Sequence, residues 1–100
     1  MALTYQQLTA ASEDTTFRQR VKASMLAAAV SIAVDTPATA LDTRRDRFAR
    51  QVLNDPDGSR DRFALPVALG FGNKSNATLT DATDAELDTR VASVWNDLMP

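Results

Sequence analysis

The sequence contains no cysteine and no histidine, and these two absences limit its chemistry. Without cysteine there are no disulfides, and without either residue the usual zinc-binding sets are excluded. Histidine is also the commonest general base, so the serine and threonine hydroxyls lack their usual activating partner. Gly70-Phe71-Gly72 has neither the third glycine nor the lysine of a phosphate-binding loop. The residues therefore predict a protein that is not an enzyme and binds no cofactor and no metal.

Length, charge and hydropathy exclude further classes of protein. One hundred residues suit a single domain, 1-100, that buries roughly 60–65% of the surface of its unfolded chain. A net charge of −2 argues against a dedicated nucleic-acid binder, so nucleic acid is not expected as a specific partner. No apolar run reaches the roughly 20 residues of a membrane span, and no membrane partner is expected. The first 17 residues have no basic segment followed by an apolar one, which predicts synthesis in the cytoplasm.

The stretch from Phe17 to Val34 has the strongest helical pattern. Apolar residues recur at steps of three and four, and from Met25 onward they fill almost every face. A helix of this kind is typically enclosed by partners on several sides, so we expect the rest of the domain to pack around it. Pro37 predicts that this helix ends at about residues 35–36, because proline disfavours the helical conformation of the residue before it.

Three further helices and an N-terminal arm are predicted around this one. The arm covers residues 1–12, and the helices cover about 38–53, 59–69 and 84–98. Turn-forming residues at 54–59 separate the second helix from the third. Thr83 and Glu86 have the spacing of a capping box before the last helix. The predicted fold is all-α: a small bundle of about four helices with an N-terminal arm and a polar loop, residues 70–83, before the last helix.

The inner faces of these helices predict the core. Its candidate members are the large apolar residues at helical spacing: Phe17, Val21, Met25, Ile32, Phe48, Val52, Phe63, Leu87, Val91 and Trp95. One pentapeptide, Arg-Asp-Arg-Phe-Ala, occurs twice, at 45–49 and 60–64. It indicates either a duplicated helix–turn unit or a coincidence between two amphipathic helices, and the absence of any repeat outside this window favours coincidence.

Charge is distributed unevenly along the chain. Residues 44–50 carry four arginines and one aspartate, whereas residues 81–97 carry five acids and one arginine. Either these are two solvated faces that pair within one molecule, or a basic and an acidic patch meet between subunits and orient them. The arginines lack the interleaved aromatic residues of a DNA-binding surface. The candidate interface residues are Arg44, Arg45, Arg47, Arg50, Asp84, Glu86 and Asp88.

Three segments together are similar to a known class of proteins. They are YQQL at 5–8 leading to FRQRV at 17–21, RFARQVLNDP at 47–56, and DAEL at 84–87 leading to RVASVWNDL at 90–98. The series resembles small proteins encoded among the head and tail structural genes of tailed bacteriophages and prophages. Residues 70–83 are the poorly matched part.

The resemblance implies a non-enzymatic virion component near the head, in the head–tail connector (neck) or attached to the capsid. Its expected partners are other copies of itself and phage portal, capsid or tail-neck proteins, and its expected location is the virion after synthesis in the host cytoplasm. The residues alone leave two alternatives, a free-standing helical adaptor that binds a partner helix and a small DNA-associated regulator.

Overall fold

The computed structural model describes residues 3–35, 43–72 and 82–98, and every regular element in those ranges is an α-helix. The helices are α1 (Tyr5–Glu13), α2 (Thr15–Asp35), α3 (Thr43–Asn54), α4 (Pro56–Leu69) and α5 (Asp84–Leu98). The all-α prediction is confirmed. The expected count of about four helices is low, because the N-terminal arm is a helix in its own right. Most of the predicted 70–83 loop lies outside the described residues.

Helix α1 begins at a capping box formed by Thr4 and Gln7, whose spacing fits the sequence pattern although the sequence analysis did not select it. The hydroxyl of Thr4 accepts the backbone N–H of Gln7 at 3.1 Å, and the Gln7 side chain accepts the N–H of Thr4 at 2.8 Å. These bonds satisfy two N–H groups that a short helix would otherwise leave without partners. Leu8 lies on the buried face of α1, and α1 packs mainly against α4.

A single residue, Asp14, separates α1 from α2. Its backbone is extended, with φ −67° and ψ 130°, and its N–H donates to the carbonyl of Ala11. Its carboxylate accepts the N–H of Phe17 at 2.9 Å, which caps α2. Arg18 reaches back and donates from Nε to the carbonyl of Ser12 at 2.8 Å. The chain therefore changes direction sharply over one residue.

The remaining helix boundaries differ from the sequence-based expectations at two places. Residues 38–41, expected to open the second helix, lie outside the described residues, and α3 is described from Thr43. Helix α4 begins at Pro56, three residues earlier than expected, because Asp55 accepts the N–H of Gly58 and proline is favoured in a first turn. Pro66 then lies inside α4.

The start of α5 confirms the predicted capping box. The hydroxyl of Thr83 accepts the N–H of Glu86 at 3.1 Å, and the carboxylate of Glu86 accepts the N–H of Thr83 at 3.0 Å. The same acid lies in the first turn, where a negative charge is favoured by the helix dipole. One residue of the candidate interface, Glu86, therefore has a local role at the helix start.

Helix α2 lies at the centre of the bundle and contacts all four other helices. The side chains of Phe17, Val21, Met25, Ile32, Phe48, Val52, Phe63, Leu87 and Val91 are all buried. The side chain of Trp95 lies outside the described residues. Leu3, Leu8, Ala29, Phe71 and Val94 belong to the same apolar cluster.

The second half of α2 is less enclosed than expected. Val30 is 51% exposed and Val34 is 76% exposed, and Ala23 and Ala27 are exposed as well. These four residues follow steps of four, three and four, so they form one stripe along the helix, opposite Met25 and its buried neighbours. The second half of α2 was expected to be enclosed by partners on several sides, but the described helices leave this stripe exposed. We refer to Ala23, Ala27, Val30 and Val34 as the α2 stripe.

The repeated pentapeptide places its two phenylalanines in contact. The rings of Phe48 and Phe63 have centroids 6.1 Å apart and planes inclined at 45°, and both side chains are fully buried. Tilted aromatic pairs at this distance are favourable beyond the area they bury. Helices α3 and α4 therefore use the same local sequence to place one ring each in the core.

Candidate functional site

The arginines that the charge pattern selected lie at the surface of α3. Arg44, Arg45, Arg47 and Arg50 are all exposed, whereas Phe48 on the same helix is fully buried. Arg50 donates to Asp46 one turn earlier, with Nη2 3.0 Å from Oδ2. Four guanidinium groups and one carboxylate are thus exposed at the surface of a helix that the core holds in place. We refer to Arg44, Arg45, Arg47 and Arg50 as the arginine face.

Contacts near the C-terminal end of α3 show where the arginine face lies relative to α2. Asp57, three residues beyond the end of α3, binds the Nζ of Lys22 at 2.7 Å, and Phe48 and Met25 line the same part of the core. The end of α3 therefore lies beside the N-terminal half of α2. Helix α3 runs antiparallel to α2, so its first turn, with Arg44, lies beside the C-terminal half of α2.

The candidate acids on α5 have described partners on α2. Asp84 accepts from Nη2 of Arg20 at 3.1 Å and stays 94% exposed, and Asp88 accepts from the hydroxyl of Ser24 at 2.7 Å. Arg20 also donates to the carbonyl of Ala82 at 2.6 Å. These contacts fix the start of α5 against α2. The structure therefore separates the candidate set into an exposed arginine face on α3 and acids that join α5 to α2.

A second group of charges, which the sequence analysis did not select as a unit, joins α2 to α4. Arg18 binds Asp61 at 3.1 Å, and Lys22 and Arg60 both reach Asp57, at 2.7 and 3.6 Å. The hydrogen bond from Lys22 lowers the pKa of the Asp57 carboxyl below its ordinary value, and the positive charges of Lys22 and Arg60 act in the same direction. The partners are far apart in sequence, so local patterns did not reveal them.

The aspartates around the α3–α4 junction are helix-cap and ion-pair residues. Asp55 caps α4, and Asp57 and Asp61 bind cations on α2. Within residues 3–35, 43–72 and 82–98 there is no cluster of three or more histidine, cysteine, aspartate or glutamate side chains that could hold a metal ion.

A shallow apolar groove of about 340 Å³ lies between the end of α4 and α5. Pro66, Leu69 and Val94 supply its apolar walls, and the guanidinium of Arg90 lies 5.6 Å from the centre of the Phe71 ring beside it. This cation–π contact holds the arginine along the wall of the groove. Besides apolar contact, the groove offers one cation, Arg90, one carboxylate, Asp97, and the hydroxyl of Ser93.

Comparison with known protein families, with curated proteins and with solved structures found no match to this chain. Among the helices of the described ranges, none combines the length and apolar character that crossing a membrane requires.

Proposed function

We propose that the chain is a non-enzymatic structural subunit of a tailed-phage virion. It acts in the head–tail connector or neck, or attached to the capsid, and it works by binding other copies of itself and neighbouring portal, capsid or tail-neck proteins. The observation that carries the proposal is the arginine face. Four exposed arginines on a helix anchored by Phe48 and Val52 form a preorganised basic surface that suits an acidic surface on another chain.

Two further features support an assembled role. The α2 stripe leaves two valines exposed on a helix whose opposite side is buried, as on a subunit whose surface is completed by a neighbour. The resemblance of residues 5–21, 47–56 and 84–98 to small phage head and tail proteins supplies the class of assembly. In a ring of copies, a weak charged contact repeats around the axis and gains strength from closure.

Charge reversal on the arginine face tests this proposal. Replacing Arg47 and Arg50 by Glu leaves the fold intact, because both side chains are exposed, and circular dichroism should show unchanged helix content. Incorporation into particles or rings should be lost or become strongly salt-sensitive, because like charges then face each other. If the double variant folds and assembles like the wild type, the arginine face is only a solvated surface and not an interface.

The repeated pentapeptide provides a matched control. Arg47 and Arg62 each precede the buried phenylalanine of an Arg-Asp-Arg-Phe-Ala segment, and both are exposed. Arg47→Glu and Arg62→Glu therefore make the same change of charge in the same local sequence, on α3 and on α4. Assembly should respond to the first and not to the second. If both variants bind DNA less tightly than a wild type with steep salt dependence, the role is that of a DNA-associated regulator.

A further inference from the structure

The junction between α1 and α2 can straighten by rotation about one bond. Asp14 already has a helical φ of −67°, and only its ψ, 130°, differs from the helical value of about −42°. There is no proline or glycine between residues 3 and 35. The sequence therefore permits one continuous helix from α1 through α2, a conformation that proline or glycine at the junction would disfavour.

Straightening exchanges one set of hydrogen bonds for another. It breaks the cap from Asp14 to the N–H of Phe17 and the bond from Arg18 to the carbonyl of Ser12. In the straight helix, the first N–H groups of α2 bond to the carbonyl groups four residues earlier in the chain. The kinked form lacks these bonds. Because Thr15 and Thr16 are exposed, water can bond their N–H groups in the kinked form, and the two conformations are therefore close in local hydrogen bonding. The position of α1 then depends on what its apolar face contacts.

In a straight helix, the docking face of α1 falls on the same side as the α2 stripe. Leu8 and Leu26 are eighteen residues apart, as are Ser12 and Val30, and eighteen residues make five complete turns of 3.6. Leu8 and Ser12 are the buried residues of α1, and Val30 is in the middle of the α2 stripe. A partner that packs against Leu8 and Ser12 of the straight helix therefore also faces Val30, while Leu26 borders the α2 stripe on the side of the core.

We propose that two copies of this chain exchange α1. In the exchanged dimer, Asp14 is helical, α1 of each copy packs on α4 of its partner, and the partner covers the exposed α2 stripe. The surface of α4 against which α1 packs within one chain can receive α1 of another copy in the same way, so exchange keeps those contacts. Covering Val30 and Val34 adds an apolar contact that the single chain does not make. This inference is independent of the arginine face and goes beyond the virion role.

The hinge residue gives the first test. Asp14→Ala removes the cap of the kinked form and favours the straight helix, whereas Asp14→Asn keeps a capping side chain. By light scattering after size exclusion, the dimerisation constant of Asp14→Ala should be at least about tenfold above that of the wild type. Asp14→Asn should match the wild type. If Asp14→Ala remains monomeric like Asp14→Asn up to millimolar concentration, the exchange is refuted.

The α2 stripe gives the second test. In the Asp14→Ala background, Val30→Asp places a charge where the partner would lie and should return the protein to the monomer with unchanged helix content. The matched control, Leu53→Asp, also replaces an exposed apolar residue by an aspartate, but on α3 and away from the α2 stripe, and it should leave the dimer in place. A dimer that tolerates Val30→Asp would contradict coverage of the stripe.

A cross-linking experiment tests whether α1 packs on its own chain or on the partner chain. It does not require Asp14→Ala, so it can be carried out even if that variant fails to fold. A Cβ at Gly72 would lie 3.8 Å from Cδ1 of Leu8, and the chain has no other cysteine to react. The Leu8→Cys, Gly72→Cys protein is refolded at high concentration as a mixture of ¹⁴N and ¹⁵N chains, then treated with a short thiol cross-linker. Mass spectrometry should find peptides joining light and heavy chains. Cross-links within single chains only would overturn the proposal.

Discussion

Replacing Phe63 by alanine gives the sharpest test of the core. Its ring is fully buried and packs against Phe48, and the space that it shares with Met25, Val67 and Val91 has no room for a water molecule. Burying a phenylalanine contributes about 1.5–3 kcal/mol, and the cavity left behind adds to the loss. The expected cost of Phe63→Ala is therefore about 3–5 kcal/mol. The total free energy of unfolding of a folded domain is only about 5–15 kcal/mol.

The free energy of unfolding is measured by urea titration followed by circular dichroism, with the wild type beside Phe63→Ala. The melting temperature should fall by more than about 12 °C for a chain of this size. Leu53→Ala is the control, because Leu53 is 42% exposed on α3 and its truncation should cost under about 1 kcal/mol. If Phe63→Ala costs no more than Leu53→Ala, Phe63 does not occupy the packed centre of the bundle.

Three further changes probe caps, charges and exposure. Thr83→Ala removes the hydroxyl that caps α5 and should cost about 1 kcal/mol in urea unfolding, whereas Thr83→Ser should cost much less. Because Lys22 lowers the folded-state pKa of Asp57, the ionised Asp57 carboxylate stabilises the fold at pH values above its pKa in the unfolded chain. This stabilisation is lost as the pH falls through the lower pKa of the folded state. Lys22→Met should therefore reduce the loss of stability in acid titrations below about pH 4. At concentrations where the protein is monomeric, Val34→Ser should change stability by less than about 0.5 kcal/mol, and a larger loss would contradict the exposure of the α2 stripe in the single chain.

Helical periodicity predicted the fold class and the inner faces of the helices well. Spacings of three and four residues selected Met25, Phe48 and Leu87, all of which are buried, because a helix at the edge of a core must turn one face inward. The cap at Thr83 was predictable as well, since both of its partners lie within one turn. Features that depend on three or four neighbouring residues are visible in a single sequence.

Features that depend on distant residues were not predictable in the same way. The α2 stripe looks as apolar as the buried side of the helix, and only the positions of α3, α4 and α5 decide which side is covered. The ion pairs of Lys22 with Asp57 and of Arg18 with Asp61 join residues 35 and 43 positions apart. The arginine face was predictable as a cluster of charge, because its residues are neighbours in the sequence.

The central claim, a virion subunit that works by assembly, is tested most directly by negative-stain electron microscopy of the purified protein. It is imaged alone and mixed with candidate portal, capsid and tail-neck proteins, at low and at high salt. The account predicts rings or decorated particles at low salt, with loss of binding for Arg47→Glu and not for Arg62→Glu. A protein that joins none of these assemblies at any salt concentration would contradict it.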